Sequence, residues 1–229
     1  MGVLDPIIIG EKVVEERLLS GRSVQHVTTP SLDNINKFWG LSVARKLMDL
    51  KVFPNVKEIT EAMSMWRVLG KEGFFGLNRQ DRDVLVVCVG DGSTPRLAAL
   101  AALSTNWDVL SVDPNLNPSW ATRNGVERLQ CIAKPIEEVS LSEVELCDLK
   151  SYKAMIILAC HAHVEPKAML ESLVYPCPRH LVCMPCCVEQ EVYAESGYDG
   201  FLERVWPSSQ YEDWGNWSPK RLVKVWKNV

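Results

Sequence analysis

An apolar run that ends in two glycines and continues as a helix is the feature that most limits the fold of this chain. The stretch is DVLVVCVGDGSTPRLAALAAL, from Asp83 to Leu103. A continuous run of Val, Leu and Cys is typical of a strand buried on both faces, as in parallel sheets covered by helices. The pattern predicts a strand, a tight turn at Gly90 and Gly92, and a helix with Pro95 in its first turn.

The same alternation continues along the rest of the chain. Further strands are predicted in DVLSVD, RLQCIA, KAMIILAC and HLVCMP, and a helix in EPKAMLESLV. Apolar strands separated by helices predict a doubly wound, mostly parallel α/β sheet of seven strands. The last two, GFLERVW and RLVKVWK, are expected to form an antiparallel hairpin at the sheet edge, because the loop between them is too short for a crossover helix.

The chain before this sheet has a different pattern. Residues 1–80 predict a helical extension with no clear strand, and residues 81–229 the α/β domain. One helix is expected behind Ser31 and is predicted to continue to Leu50. A second is expected from Asn55 toward Leu69, with Glu58 placed as in a capping box.

Composition limits the class of protein and the partners. The chain has 229 residues, 47% of them apolar, which suits one sizeable α/β domain. A net charge of −4 argues against a surface built broadly for phosphate backbones. We find no secretory signal and no apolar segment that could span a bilayer, so the eight cysteines are expected to be reduced and the protein intracellular, cytoplasmic or nuclear.

The glycine turn and a later acidic residue have the spacing of a nucleoside site. Asp113 ends the second predicted strand, 21 positions after Gly92. An acidic residue about 20 positions after such a turn meets ribose hydroxyls in dinucleotide-binding folds. Thr94 before Pro95 is predicted to cap the following helix. The three features together predict a ligand that contains a nucleoside.

The choice of nucleoside depends on phosphate. Pro95 stands where a dinucleotide site has its third glycine, and the Asp91 carboxylate would repel a pyrophosphate. A ligand with a cationic sulfonium and an ammonium group tolerates this carboxylate, so S-adenosylmethionine fits better than NAD. Two alternatives stay open: a phosphate-containing cofactor, and a turn that has lost its ligand.

These residues resemble a known family. VVCVGDGSTPRLAALAAL followed by VLSVDP is similar to the first two motifs of class I S-adenosylmethionine-dependent methyltransferases, which have a Rossmann-like sheet. The resemblance implies that the glycine turn lines the methionine moiety, that Asp113 binds the ribose and that the segment around Ile136 contacts the adenine. The predicted cofactor-binding residues are Gly90, Asp91, Gly92, Ser93, Thr94, Asp113, Pro114, Ile136 and Cys160.

A second resemblance concerns the methyl acceptor. The segment ILACHAHVEPKAMLESLVYPCPRHLVCMPCC is similar to a branch that includes tRNA 2′-O-methyltransferases and related RNA methyltransferases, which implies RNA or a nucleotide as acceptor. The chain departs from the family after the third strand of the sheet, where Lys134 and Pro135 replace an acidic residue that often binds adenine. It also lacks the Asn-Pro-Pro-Tyr or Asp-Pro-Pro-Tyr motif of enzymes that methylate the adenine amino group.

Two histidines are the catalytic candidates. His161 and His163 follow the fourth strand, where this fold presents groups to a substrate, and imidazoles act as acids and bases near neutral pH. The alternative is a loop whose histidines bond to backbone carbonyls.

No metal is predicted from the cysteine-rich segment. Its candidate ligands are Cys177, His180, Cys183, Cys186 and Cys187. A predicted strand separates the candidate pairs, and no second, separate pair of closely spaced ligands is present.

The C-terminal segment mixes aromatic and basic residues. Stacking rings and cations suit single-stranded nucleic acid, whereas an edge hairpin would use the same rings as core. The residues are Trp206, Trp214, Trp217, Trp226, Lys220, Arg221, Lys224 and Lys227.

The sequence as a whole predicts an S-adenosylmethionine-dependent methyltransferase with RNA or a nucleotide as acceptor. A small-molecule methyltransferase and a catalytically silent binding subunit of the same fold are the alternatives.

Overall fold

The computed structural model describes residues 13–17, 23–27, 31–80, 82–122, 125–146, 152–185 and 207–229. Its helices are α1 Asp33–Trp39, α2 Ala44–Asp49, α3 Val56–Lys71, α4 Arg96–Ser104, α5 Ser119–Thr122 and α6 Pro166–Ser172. Its strands are β1 Val13–Arg17, β2 Ser23–Val27, β3 Val84–Val89, β4 Asp108–Val112, β5 Leu129–Ile132, β6 Ala154–Cys160, β7 Arg179–Met184, β8 Ser209–Glu212 and β9 Leu222–Lys227. Short 3₁₀ turns cover Phe74–Gly76, Ile136–Glu138 and Leu141–Glu143.

Seven strands form one sheet in the order β5-β4-β3-β6-β7-β9-β8. The first five are parallel, and β9 pairs antiparallel with both β7 and β8. This confirms the predicted doubly wound sheet with an antiparallel hairpin at its edge. The hairpin's first strand is Ser209–Glu212, and the segment GFLERVW predicted for it lies outside the described residues.

The central strands are buried on both faces, as their continuous apolar runs predict. Every residue of β3 is buried, and alternate residues of the strand enter two separate apolar clusters. One cluster joins the sheet to α3 and α4, and the other joins it to α6. Helices therefore cover both faces, as the βαβ alternation requires.

The N-terminal part contains strands that the sequence did not predict. β1 and β2 pair as an antiparallel hairpin, so the expectation of no clear strand in residues 1–80 is wrong. Each strand has five residues and mixes valine with polar and charged residues, so neither forms the apolar run that identifies the strands of the main sheet. The helix expected from Ser31 to Leu50 is also interrupted, because Gly40 ends α1 and α2 begins at Ala44.

Helix α3 begins where the capping pattern predicts. The Asn55 side chain accepts a hydrogen bond from the Glu58 N–H at 3.1 Å. The helix packs against α1 and α4 and against strands β6, β7 and β9, so it covers one face of the sheet. A domain boundary near residue 80 remains a prediction. Among the described residues, no helix combines the length and apolar character needed to cross a bilayer.

Candidate functional site

The sheet order reverses at β3. This strand lies between β4 and β6, so the chain moves from β3 toward one edge of the sheet through β4 and β5, and toward the other edge through β6 and β7. Helix α4, which follows β3, and helix α6, which follows β6, cover opposite faces of the sheet. In open parallel sheets, ligands bind at the carboxyl ends of the strands where this reversal occurs. The glycine turn after β3 lies at this place, as do Asp113 after β4 and His161 after β6.

Asp113 is held directly against the glycine turn. Its Oδ2 accepts a hydrogen bond from the Gly92 N–H at 2.7 Å, and its Oδ1 accepts one from the Asn115 N–H at 2.7 Å. The side chain is buried, with 6% of the residue exposed. The 21-residue spacing therefore corresponds to a real contact between the turn and the acidic residue.

Asp91, and not Thr94, caps helix α4. The Asp91 carboxylate accepts hydrogen bonds from Leu97 N–H at 3.0 Å, Ala98 N–H at 3.2 Å and the Ser111 hydroxyl at 2.9 Å. Burial raises the pKa of Asp91 to about 6, although these hydrogen bonds act in the opposite direction. Thr94 was predicted as the cap, but its hydroxyl donates to the Val52 carbonyl at 2.6 Å. The prediction is wrong because the Val52 carbonyl takes the Thr94 hydroxyl, and the Asp91 carboxylate accepts the helix N–H groups instead.

Gly90 allows two loops to approach one another. Its φ is +79°, and a Cβ built there would lie 2.7 Å from both Cα and Cβ of Ala162, in the loop after β6. Gly92 also has a positive φ, of +80°, but a Cβ there would meet only the end of the Arg96 side chain at 3.0 Å. The close approach of the Ala162 loop therefore requires a glycine at position 90.

The remaining predicted cofactor residues lie around the same sheet edge. The Ser93 carbonyl accepts a hydrogen bond from Asn117 N–H at 3.1 Å, and Pro114 follows Asp113 in the exposed turn after β4. Ile136 begins a 3₁₀ turn after β5 and is 1% exposed, so it is part of the core on the α6 side of the sheet. Contact between these residues and a cofactor remains a prediction.

A cleft of about 400 Å³ opens beside the glycine turn. Four of the predicted site residues line it, namely Gly90, Cys160, His161 and His163. Helix α3 contributes Lys57, Glu58 and Glu61, and the cleft is completed by Arg96, Ser218, Pro219 and Lys220. The turn residues Asp113, Pro114 and Ile136 do not line it.

His161 is fixed through both of its ring nitrogens. Nε2 lies 3.0 Å from Glu61 Oε1 and 3.4 Å from the Ser218 hydroxyl, and Nδ1 lies 3.2 Å from the Pro185 carbonyl oxygen. The residue has φ +53°, in the left-handed region that side chains other than glycine rarely adopt. A carbonyl and a carboxylate only accept hydrogen bonds, so each ring nitrogen faces at least one acceptor. The catalytic role of His161 stays a prediction.

Glu61 is a residue of the cleft that the sequence did not reveal. It is 3% exposed, and Lys57 Nζ lies 2.9 Å from the carboxylate oxygen that faces His161. Burial raises the pKa of Glu61, but the nearby nitrogens of His161 and Lys57 outweigh it and lower the pKa overall. A glutamate four residues after a lysine is typical of an exposed helix face, so no local pattern indicates that this face is turned inward.

Arg96 joins the cleft to the turn. Its Nε donates to the Asp91 carbonyl at 2.7 Å, and its guanidinium forms an ion pair with Glu58. Burial lowers the pKa of Arg96, with nearby negative charge opposing the effect.

A buried polar bridge connects helix α3 to the segment 213–218. Asn34 Nδ2 donates to Asp213 Oδ2 at 3.1 Å and to the Ser64 hydroxyl at 3.1 Å. Trp217 N–H donates to the Thr60 hydroxyl at 3.0 Å. These bonds hold the segment beside α3, and Ser218 and Lys220 line the cleft together with Glu61 and Lys57.

The C-terminal cations do not gather on one rim. Lys220 lines the cleft, whereas Arg221 stacks on Trp214 at 3.9 Å from the ring centre and Lys227 Nζ lies 2.7 Å from Glu72. Trp226 is buried, at 4% exposed, and Trp206 lies outside the described residues. Arg221 and Lys227 therefore contact groups of the chain itself, whereas Lys220 faces the cleft.

The cysteine-rich segment shows no metal cluster among the residues that the structure describes. Cys183 is buried in β7, Cys177 is half-buried in the preceding loop, and His180 lies against the Phe74 ring with 5.0 Å between ring centres. Cys186 and Cys187 lie outside the described residues.

No family model and no curated protein matches the chain. Among solved structures, it is similar to 1,6-didemethyltoxoflavin-N1-methyltransferase of Burkholderia thailandensis, with 15% identity, TM-score 0.45, and 94% of this chain and 99% of that chain covered.

Two further solved structures are also similar. For a TehB-like S-adenosylmethionine-dependent methyltransferase of Corynebacterium glutamicum, identity is 12%, the TM-score is 0.38, and 72% of this chain and 94% of that chain are covered. For coclaurine N-methyltransferase bound to N-methylheliamine and S-adenosylhomocysteine, identity is 13%, the TM-score is 0.35, and 52% of this chain and 36% of that chain are covered. The chain thus spans about a third of the length of the last of these enzymes.

The strand order carries the structural assignment. The sheet is parallel from β5 to β7, its order reverses at β3, and it ends with an antiparallel edge pair, as the sequence predicts; the placement of β9 between β7 and β8 was not predicted. The chain therefore has a doubly wound, Rossmann-like sheet of seven strands.

Proposed function

We propose that the protein binds S-adenosylmethionine at the carboxyl ends of β3 and β4 and transfers its methyl group to an acceptor in the neighbouring cleft. The contact of 2.7 Å between Gly92 N–H and Asp113 carries this proposal, because it joins the turn and the acidic residue at the point where the sheet order reverses. Each Asp113 oxygen accepts one backbone hydrogen bond and retains a lone pair for a ribose hydroxyl. The structures of two similar proteins, the toxoflavin and coclaurine enzymes, contain S-adenosylhomocysteine.

The methyl acceptor would approach from the side of His161. The cleft begins at Gly90 and is lined by Cys160 and His161, which follow β6, so it lies next to the glycine turn. Methyl transfer depends mainly on orientation of the acceptor toward the methyl carbon. The residues of α3 and the segment 218–220 are placed to supply that orientation through charged and hydroxyl groups.

We expect Asp113→Ala to weaken the binding of S-adenosylhomocysteine by about 10-fold to 150-fold, because a hydrogen bond to a charged group contributes about 1.5–3 kcal/mol. Calorimetry on the folded protein measures this. Asp108→Ala is the matched control: Asp108 lies at the opposite end of β4, where it pairs with Arg82 and Tyr152, so its loss should affect stability and leave ligand affinity unchanged.

Unchanged affinity in Asp113→Ala would overturn the site, and NAD bound with equal strength would overturn the ligand. If neither S-adenosylmethionine nor S-adenosylhomocysteine binds the wild-type protein, the chain is a silent member of the fold that acts as a binding subunit.

For the acceptor, we propose a small molecule in place of the RNA that the second resemblance implied. The observation that favours this choice is the dispersal of the C-terminal cations, since only Lys220 among the three described above faces the cleft. An RNA strand needs a continuous row of cations along its backbone, whereas a cleft of about 400 Å³ suits a compact acceptor.

A salt series distinguishes the two acceptors. We expect single-stranded RNA to bind weakly to wild type and to a Lys220→Ala, Arg221→Ala double variant, with the same shallow dependence on salt. If RNA is the acceptor, the logarithm of the wild-type binding constant should fall with the logarithm of salt concentration with a slope of roughly 0.7 per phosphate contacted. The double variant would then show a shallower slope, and the small-molecule proposal would be wrong.

A further inference from the structure

Three potential metal ligands converge at the inner end of the cleft. The ligand atoms of Glu61, Cys160 and His161 all lie within 4.8 Å of one another. A carboxylate oxygen, a thiolate sulfur and an imidazole nitrogen are three of the ligand types that zinc takes in proteins. The ordinary zinc–ligand lengths place tetrahedral ligands roughly 3.3–3.8 Å apart, so only small side-chain movements separate this cluster from a coordinating geometry.

The backbone conformation of His161 produces this convergence. Successive side chains of a strand point to opposite faces of the sheet, so Cys160 at the end of β6 and the next residue would normally diverge. The left-handed conformation of His161, with φ +53°, ends this alternation, and both side chains line the same cleft. Strained backbone of this kind persists where surrounding structure holds it, and it is concentrated at functional sites.

The second nitrogen of His161 is already engaged in the manner of a metal ligand. Nδ1 lies 3.2 Å from the Pro185 carbonyl oxygen and can donate a proton to it. Histidines that bind metals usually make such a bond with the nitrogen that does not coordinate, because it fixes the tautomer and the ring orientation. It leaves the lone pair of Nε2 directed toward Glu61.

The space between Nε2 and Glu61 Oε1 requires a positive charge. The two atoms are 3.0 Å apart, and in the tautomer just described both present lone pairs. Oε1 is fully buried and has no aligned hydrogen bond among the described residues, although Lys57 Nζ lies 2.9 Å away. Either a proton or a metal ion can occupy this position, and Cys160 Sγ is near enough to bind the metal ion as well.

We propose that Glu61, Cys160 and His161 form a binding site for a divalent metal ion of the zinc class. The mixed sulfur, nitrogen and oxygen set favours zinc over magnesium or calcium, which take oxygen ligands. Three protein ligands leave a fourth position open, as in catalytic zinc sites, and that position faces the cleft. If the proposed methyl transfer is correct, an acceptor hydroxyl or thiol would occupy this position, but metal binding itself does not depend on that function.

Cobalt titration of the full-length protein tests the site. After treatment with a chelator, the protein should bind one equivalent of Co²⁺ with a thiolate-to-metal charge-transfer band and the strong visible absorption of four-coordinate cobalt, and Zn²⁺ should displace it. Cys160→Ser should abolish the charge-transfer band and weaken binding at least 10-fold. Glu61→Gln should weaken binding while the band remains.

Two further variants make the test specific. Lys57→Ala removes the ammonium that competes for Oε1, so metal binding should become tighter. Lys57 is half-exposed, and its removal should leave the fold intact. His163 lies in the same cleft outside the ligand cluster, so His163→Ala should leave the Co²⁺ affinity and the charge-transfer band unchanged.

The absence of one tightly bound equivalent in wild type would overturn the proposal, and so would a charge-transfer band that survives Cys160→Ser. If Cys160→Ser fails to fold, looser binding in Lys57→Ala overturns it instead. S-adenosylhomocysteine affinity measured on the chelated protein keeps this result separate from the proposed function.

Discussion

Gly90→Ala is expected to lower the free energy of unfolding by about 2–5 kcal/mol. A residue with a Cβ in the left-handed conformation costs about 1–2 kcal/mol, and Gly90 has φ +79°. The new Cβ would also lie 2.7 Å from Cα and Cβ of Ala162, so one loop must move, and overpacking of this kind costs about 1–3 kcal/mol more. Urea unfolding measures the change in the free energy of unfolding, provided that its dependence on urea concentration, the m-value, is the same in both proteins.

Gly73→Ala is the matched control for this prediction. Gly73 has the same φ of +79°, but a Cβ there would find none of the described atoms within 4 Å. The control should therefore lose only about 1–2 kcal/mol, the cost of the backbone conformation. Equal losses in the two variants would show that the approach of the loops at Gly90 and Ala162 contributes nothing.

Asp91 should make the protein less stable as the pH rises from about 4 to about 6. Burial raises the pKa of Asp91 from 3.8 to about 6, so the folded protein holds this proton more tightly than the unfolded chain does. Stability from this group is therefore fully present below the unfolded pKa and is lost as the pH rises through the folded pKa. The difference in pKa corresponds to about 3 kcal/mol in the free energy of unfolding.

Asp91→Asn isolates this effect, because the amide keeps an acceptor for the cap and does not titrate in this range. The free energy of unfolding should fall more steeply with pH in wild type than in the variant between pH 4 and pH 6. The comparison is necessary because the pKa values of Asp33, Glu61 and Glu72 are lowered in the fold, and those groups stabilise it as the pH rises. Identical pH profiles for wild type and variant would contradict the prediction.

The parts of the fold that could be predicted are those encoded by local patterns. The buried strands are continuous apolar runs, and the Asn55 cap is a pair of residues three positions apart, so both can be recognised from neighbours in the sequence. The contact between Gly92 and Asp113 could also be predicted, since a βαβ unit places residues about 20 positions apart at the same edge of the sheet.

The parts that could not be predicted depend on long-range packing. Thr94 and Asp91 were both suitable caps for α4, and the choice depends on the Val52 carbonyl, 42 residues away, which takes the threonine hydroxyl. Glu61 looks like an exposed helix residue until α3 is placed over the sheet with His161 beside it. Lys220 and Arg221 are neighbours in sequence but belong to different environments, the cleft and the Trp214 ring.

The way in which the cleft is assembled determines when it can first exist. Its wall from α3 is held to its wall from residues 218–220 by the bond between Trp217 and Thr60, which are 157 residues apart. During synthesis on the ribosome, α3 emerges long before the segment that completes the cleft, so a nascent chain can hold the central strands and still lack a place for the acceptor. A ligand that binds across both walls would recognise only chains that have finished folding, and it would select them by mass action.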